Sequence, residues 1–99
     1  MQKKKLRVAV GRVIRAATGV SLPIAMAVAK AAVKAASPTM TVAEIAAFAP
    51  RAFVEAKHAA SEYELPAGVS ASYRECGCGC GTSTMVSCEV SGPRGAIVA

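Results

Sequence analysis

The sequence predicts a mainly α-helical protein that ends in a small β-hairpin rich in cysteine and glycine. Up to residue 64, apolar side chains recur every three or four positions, which is typical of amphipathic helices, three or four in number and rich in alanine. After residue 65 the apolar side chains alternate with polar ones, which is typical of strands. We therefore divide the chain into a basic helical region, residues 1–64, and a Cys- and Gly-rich β tail, residues 65–99.

The first helix is predicted from a stripe of apolar side chains that share one face of a helix. The stripe consists of Leu6, Val10, Val13, Ile14 and Ala17. Gly19 is expected to end this helix, because glycine adopts the left-handed conformation of a helix C-terminus without steric cost.

Two further helices are predicted from their end signals. Ser21 is a candidate N-cap for the second helix, which Ser37-Pro38 ends. Thr41 and Glu44 match a capping box at the start of the third. Pro50 lies inside the third stripe without shifting its phase, so we expect one kinked helix or two nearly collinear helices.

The β-hairpin is predicted from two runs of alternating side chains around a glycine-rich connection. One run places Val69, Ala71 and Tyr73 on one face of a strand. The other places Thr84, Val86, Cys88 and Val90 on one face.

The composition limits how much core this chain can build. It has 99 residues and a hydrophobic fraction of 54%, but much of that fraction is alanine, aromatics are 4% and Trp is absent. A small, alanine-rich core gives marginal stability without a cross-link, a metal or a partner chain. We therefore expect self-association or a protein partner, as in a subunit of a multi-copy particle or filament.

The charge is distributed unevenly along the chain. The net charge is +6, and residues 1–43 hold eight Lys or Arg and no acidic residue. This asymmetry predicts an anionic partner, either an acidic protein, nucleic acid or a membrane surface. The alternative is that these bases are the solvated faces of amphipathic helices. The candidate contact residues are Lys3, Lys4, Lys5, Arg7, Arg12 and Arg15.

No transmembrane segment is predicted. The uncharged run from Ala16 to Ala29 has 14 residues, which is too short to span a bilayer as a helix.

All four cysteines, Cys76, Cys78, Cys80 and Cys88, lie in one short stretch. Four thiolates are the right number for one structural zinc, and an iron–sulfur cluster is a less expected alternative. Residues i and i+2 of a strand are about 6.5 Å apart, whereas thiolates that share a zinc lie about 3.8 Å apart. The glycine spacers permit the curvature that a shared metal requires. Disulfides, within one chain or between chains, are the other interpretation.

The same stretch also resembles a modifiable peptide. Residues 76–84, in which Gly-Cys pairs precede Thr82, Ser83 and Thr84, resemble the cores of ribosomally made precursor peptides. In those peptides Cys, Ser and Thr are cyclised to azoles, and a helical leader binds the modifying enzyme. The resemblance implies that the helical region is a leader and the Cys/Gly/Ser/Thr stretch is a substrate.

An enzyme is not predicted. His58 is the only histidine, and neither a phosphate-binding loop nor a dinucleotide-binding fingerprint is present in the sequence. We expect a non-enzymatic structural or assembly protein with no cofactor or one zinc. Its Cys-rich hairpin is expected to be locked by disulfides or a single metal, and its basic helical front to dock an acidic partner or nucleic acid.

Overall fold

A computed structural model describes residues 3–62, 64–75 and 83–99. Within these residues the chain forms three helices and then a three-stranded antiparallel sheet. The elements are α1 (Lys3–Thr18), α2 (Leu22–Ala35), α3 (Val42–Ala59), β1 (Val69–Glu75), β2 (Ser83–Gly92) and β3 (Gly95–Val98). The predicted order of helices followed by a hairpin is confirmed, but the fold is mixed α/β and not mainly α-helical, because β3 extends the hairpin to a three-stranded sheet.

The end of α1 agrees with the prediction, and its buried face agrees in part, since Val10 and Ile14 of the predicted stripe are buried. Gly19 follows the helix with a φ of +77°, and its N–H donates to the Arg15 carbonyl at 2.8 Å. The buried residues are Val10, Gly11, Ile14 and Thr18, whereas Val13 is 39% exposed. The face is rotated because Gly11 lets α2 approach: a Cβ there would lie 2.6 Å from the Met26 sulfur.

Helices α2 and α3 begin at the predicted N-cap residues, Ser21 and Thr41. Thr41 caps its helix with a side-chain hydrogen bond. Thr41 Oγ1 accepts a hydrogen bond from the Glu44 N–H at 3.2 Å and donates one to the Glu44 carboxylate at 3.1 Å. Ser21 occupies the N-cap position of α2, but its side chain makes no capping hydrogen bond with a described residue. Helix α3 runs through the buried Pro50 as one element, so the single-helix alternative is the observed one.

The sheet has the order β1-β2-β3, and its inner face packs on the helices. Val69 pairs with Val90, which pairs in turn with Ile97. β2 and β3 contact α3, and β3 also contacts α1. Helices and sheet therefore share one hydrophobic core.

The predicted inner face of β2 is wrong at Val86, because the strand has a β-bulge there. Ser72 pairs with Ser87 and Tyr73 pairs with Met85, so Val86 has no partner in the described register. Val86 is 55% exposed, whereas Met85 is half-buried with its sulfur 3.1 Å from the Cys88 sulfur. Because an extra residue reverses the alternation of a strand, Met85 and not Val86 lies beside Cys88.

The core is built from small side chains, as the composition indicates. Among the described residues it holds seventeen buried apolar side chains, of which six are alanine. Alanine lets helices approach closely but buries little apolar area for each residue. None of the described helices is both long and apolar enough to cross a membrane.

Candidate functional site: a basic face and a cysteine-bearing hairpin

The exposed side of α1 carries a row of cations. Lys4, Lys5 and Arg12 line a shallow groove of about 480 Å³. The floor between these cations is formed by Val8 and Ala9. At about 100° per residue, the centre of this groove is turned by about 140° around the helix axis from the buried side of α1.

A second groove continues the first towards the end of α1. Its volume is about 340 Å³, and Arg12 and Arg15 line it together with Ala16 and Gly19. Arg94 closes it from the turn between β2 and β3. We call Lys4, Lys5, Arg12, Arg15 and Arg94 the basic face.

The position of Arg94 depends on a tight joint between α1 and the β2–β3 turn. The Arg94 N–H donates to the Thr18 carbonyl at 3.0 Å. Thr18 is itself fixed, because its hydroxyl donates to the Ile14 carbonyl at 2.7 Å. Gly92 allows the approach, since a Cβ there would overlap the Thr18 carbonyl oxygen. The Arg94 side chain lies over Gly19, which has no Cβ to displace it.

Sequence reasoning misses Arg94 because it is far from α1 along the chain. An isolated arginine in the turn "GPRG" resembles any exposed turn residue. The sheet register, which places the turn against α1, is not readable from the residues around it. A run of basic residues on one helix is visible in the sequence. A basic residue that a distant turn brings to the same surface is not.

Two of the predicted contact residues lie away from the basic face. Lys3 lines a different cavity, of about 560 Å³, with Leu6 and Met40 among its neighbours. Arg7 is half-buried and lines neither groove of the basic face. At about 100° per residue, Lys3 and Arg7 are turned by about 180° and 140° from Arg12 around the helix axis.

The cations of the basic face make no ion pair within the described part of the chain. The ion pairs there join Arg51 to Glu55 at 3.9 Å and Lys57 to Glu62 at 3.0 Å. The first turn of α1 holds lysines and no acidic residue. Cations at a helix N-terminus oppose the helix dipole, so this arrangement costs stability.

The three cysteines separated by single glycines, Cys76, Cys78 and Cys80, lie outside the described residues. The strand ends on either side are described, and Glu75 pairs with Ser83 in the antiparallel register. Residues 76–82 therefore connect two strand ends that face each other.

Cys88 is placed away from that connection. Its thiol is free and buried, and burial raises its pKa above the ordinary value of 9.0. The nearby Arg51 lowers the pKa and Glu55 raises it, both by smaller amounts. Cys88 lies five positions along β2 from Ser83, a distance of about 16 Å. Within the described ranges, no three His, Cys, Asp or Glu side chains are grouped to hold a metal.

His58 fastens α3 to the hairpin. Its Nε2 shares a hydrogen bond with the Tyr73 hydroxyl, and the two rings stack with centroids 5.4 Å apart. Nearby, Arg51 Nη2 donates to the carbonyl of the bulged Val86 at 3.1 Å. Both contacts orient the β1–β2 hairpin relative to α3.

Comparison with protein-family models, with curated proteins and with solved structures gives no match for this chain.

Proposed function

We propose that this protein is a small, non-enzymatic assembly module that docks an anionic partner through its basic face. The observation that carries the proposal is the convergence of Arg94 on the cations of α1, where two grooves share Arg12. Cations that make no ion pair with another described residue are thereby collected on one surface from two distant parts of the chain.

The helix dipole gives a second argument. A cation in the first turn of a helix costs roughly 0.3–1 kcal/mol, and a cation in the last turn contributes a similar amount. Arg15 in the last turn of α1 therefore has a structural explanation, whereas Lys4 and Lys5 oppose helix stability. Residues that break a local rule of stability are expected at functional sites. An anion bound at the basic face offsets the loss of helix stability that Lys4 and Lys5 cause.

The test separates stability from binding with two charge reversals. Lys4→Glu places an acid in the first turn of α1, so the free energy of unfolding should rise by about 0.5 kcal/mol. The variant should nevertheless elute from a heparin column at a lower salt concentration than the parent protein. Thermal denaturation and salt-gradient elution measure the two effects.

Lys34→Glu is the matched control, because it changes the net charge equally but lies in the last turn of α2. It should lower stability and leave heparin retention close to that of the parent protein. Equal loss of retention in both variants would show that net charge alone, and not the basic face, determines binding.

We further propose that the three cysteines of residues 76–82 lock the hairpin by disulfides or by one zinc. Support for leaving Cys88 out comes from its burial and from its strand position. Zinc prefers four ligands, so three thiolates require a fourth from another chain or from water. Intact mass spectrometry in native and denaturing solvent, with and without a chelator, tests this. A disulfide lowers the mass by about 2 Da, and zinc is lost to the chelator.

A modified precursor peptide is the second candidate. Support comes from the pairing of Glu75 with Ser83, which sets the Gly-Cys steps between two facing strand ends. Each azole lowers the mass by about 20 Da through loss of water and two hydrogens. Mass losses in multiples of 20 Da in protein from the native host favour this function over a locked hairpin.

A further inference from the structure

We propose that the basic face binds the phosphate backbone of double-stranded nucleic acid without reading its base sequence. This inference rests on the proposed function, because it assumes that the basic face docks an anionic partner. It goes further by naming the partner, and three features of the face support it.

The first feature is the spacing of the cations. The basic face extends along α1 from Lys4 to the groove at Gly19, about 22 Å at 1.5 Å per residue. Five cations over that length give about one for every 4.4 Å. One strand of a duplex presents a phosphate for every 3.4 Å of axis, whereas a line of acids along a protein helix presents about one for every 5.4 Å turn. Over about 22 Å one strand of a duplex therefore presents about six phosphates, enough for all five cations, whereas a line of acids presents about four carboxylates.

The second feature is the lining between the cations. Val8, Ala9, Ala16 and Gly19 form it, and none of these carries an amide, a hydroxyl or an aromatic ring on its side chain. Base edges are read by Arg together with Asn, Gln and similar side chains in a groove, and single strands are bound by aromatic stacking. Of these groups the described face has only arginines, whose guanidinium groups also bind phosphate. A smooth floor of small residues instead lets a phosphate backbone approach the cations. The described face therefore fits the duplex backbone and offers little for sequence recognition.

The third feature is the group of guanidinium side chains at one end. Arg12, Arg15 and Arg94 line a single groove, and each offers a planar fork of donors that matches a phosphate. Arg94 reaches the groove from the sheet while Arg12 and Arg15 reach it from α1. A phosphate in this groove accepts hydrogen bonds from two elements of the fold.

The test measures the affinity of the full chain for a 20-base-pair DNA duplex by fluorescence anisotropy at several salt concentrations. Five phosphate contacts predict that log K falls against log salt with a slope of about −4.5. Affinity should therefore drop about 500-fold between 50 and 200 mM salt. Two duplexes of unrelated sequence should bind equally.

The variant is Arg94→Gln, which keeps the backbone hydrogen bond to Thr18 and removes the charge. It should reduce the magnitude of the salt slope by about one. Lys30→Gln, on the exposed side of α2, is the control and should leave the slope unchanged. Thermal denaturation of each variant checks that the fold is intact.

Two comparison ligands separate the possible failures. Binding of polyglutamate or anionic vesicles in preference to the duplex would overturn this inference and leave the proposed anionic docking in place. Absence of binding to all three ligands would overturn both. An unchanged slope in Arg94→Gln would show that Arg94 is not part of the contact, contrary to the inference.

Discussion

At the scale of single residues, the joint between Thr18 and Gly92 sets the position of Arg94. Replacing Gly92 by Ala puts a methyl group into the Thr18 carbonyl and within 3.0 Å of the Val20 nitrogen. Backbone atoms cannot move aside as a side chain can, so Gly92→Ala should lower the free energy of unfolding by about 2 kcal/mol or more. Urea denaturation measures the change.

Gly11→Ala is the matched comparison for that prediction. The atom in its way is the sulfur of Met26, which ends a flexible side chain. The substitution also gains up to about 1 kcal/mol of helix propensity inside α1. Gly11→Ala should therefore change the free energy of unfolding by less than about 1 kcal/mol. A loss as large as that of Gly92→Ala would contradict the argument that the Met26 side chain can move aside whereas the backbone at Thr18 cannot.

Cys88 gives a prediction about pH. Burial raises its pKa in the folded state, so its contribution to stability is complete below pH 9.0, the ordinary pKa of the thiol. Above that pH the thiol ionises in the unfolded chain but stays protonated in the fold, so stability is lost as pH rises towards the folded pKa. The loss is at most about 1.4 kcal/mol per pH unit.

Comparison with Cys88→Ala isolates this loss from the titration of other groups. Urea denaturation at pH 7 to 10, under a reducing agent, should show the parent protein losing more stability above pH 9 than the variant. Parallel pH profiles in the two proteins would mean that the thiol is not desolvated in the fold.

At the scale of the elements, the two helix caps differ in a testable way. Thr41 caps α3 with its hydroxyl, while Ser21 makes no such bond at α2. Thr41→Ala should cost about 1 kcal/mol of stability because it leaves the Glu44 N–H without its acceptor. Ser21→Ala should cost less than half of that. Thermal denaturation of both variants checks the difference, and equal losses would mean that both hydroxyls act as caps.

The elements also show what the sequence could and could not predict. Gly19, Thr41 and the alternation around Val69 are local signals, and the structure has a helix end, a helix start and a strand at those places. The bulge at Val86 is not signalled, because Met85 and Val86 are both apolar and either suits the inner face. The true buried face of α1 includes Gly11, which an apolar pattern does not count. In the basic face, the cations of α1 can be recognised from the sequence, whereas the contribution of Arg94 cannot.

At the scale of the whole molecule, one shared core predicts one cooperative unit. The sheet packs against α1 and α3, and its buried side chains belong to the same hydrophobic core as those of the helices. The amide of Arg94, bonded to Thr18, should therefore exchange with solvent only by global unfolding, as slowly as the amide of Ile14. Hydrogen exchange measured by NMR tests this.

The amide of Ser61 is the internal reference for that measurement. It is hydrogen-bonded to His58 in an exposed turn after α3 and should exchange much faster. Exchange of Arg94 at a rate near that of Ser61 would show that the sheet opens independently of the helices.

The joint between Thr18 and Arg94 also bears on the order of events during synthesis. α1 is synthesised before Arg94, which lies 76 residues after Thr18. A nascent α1 therefore offers its lysines and arginines without the guanidinium that completes the second groove. A partner that requires all five cations would distinguish chains that have folded as far as Arg94 from shorter nascent ones, and by binding them it would hold α1 and the β2–β3 turn together.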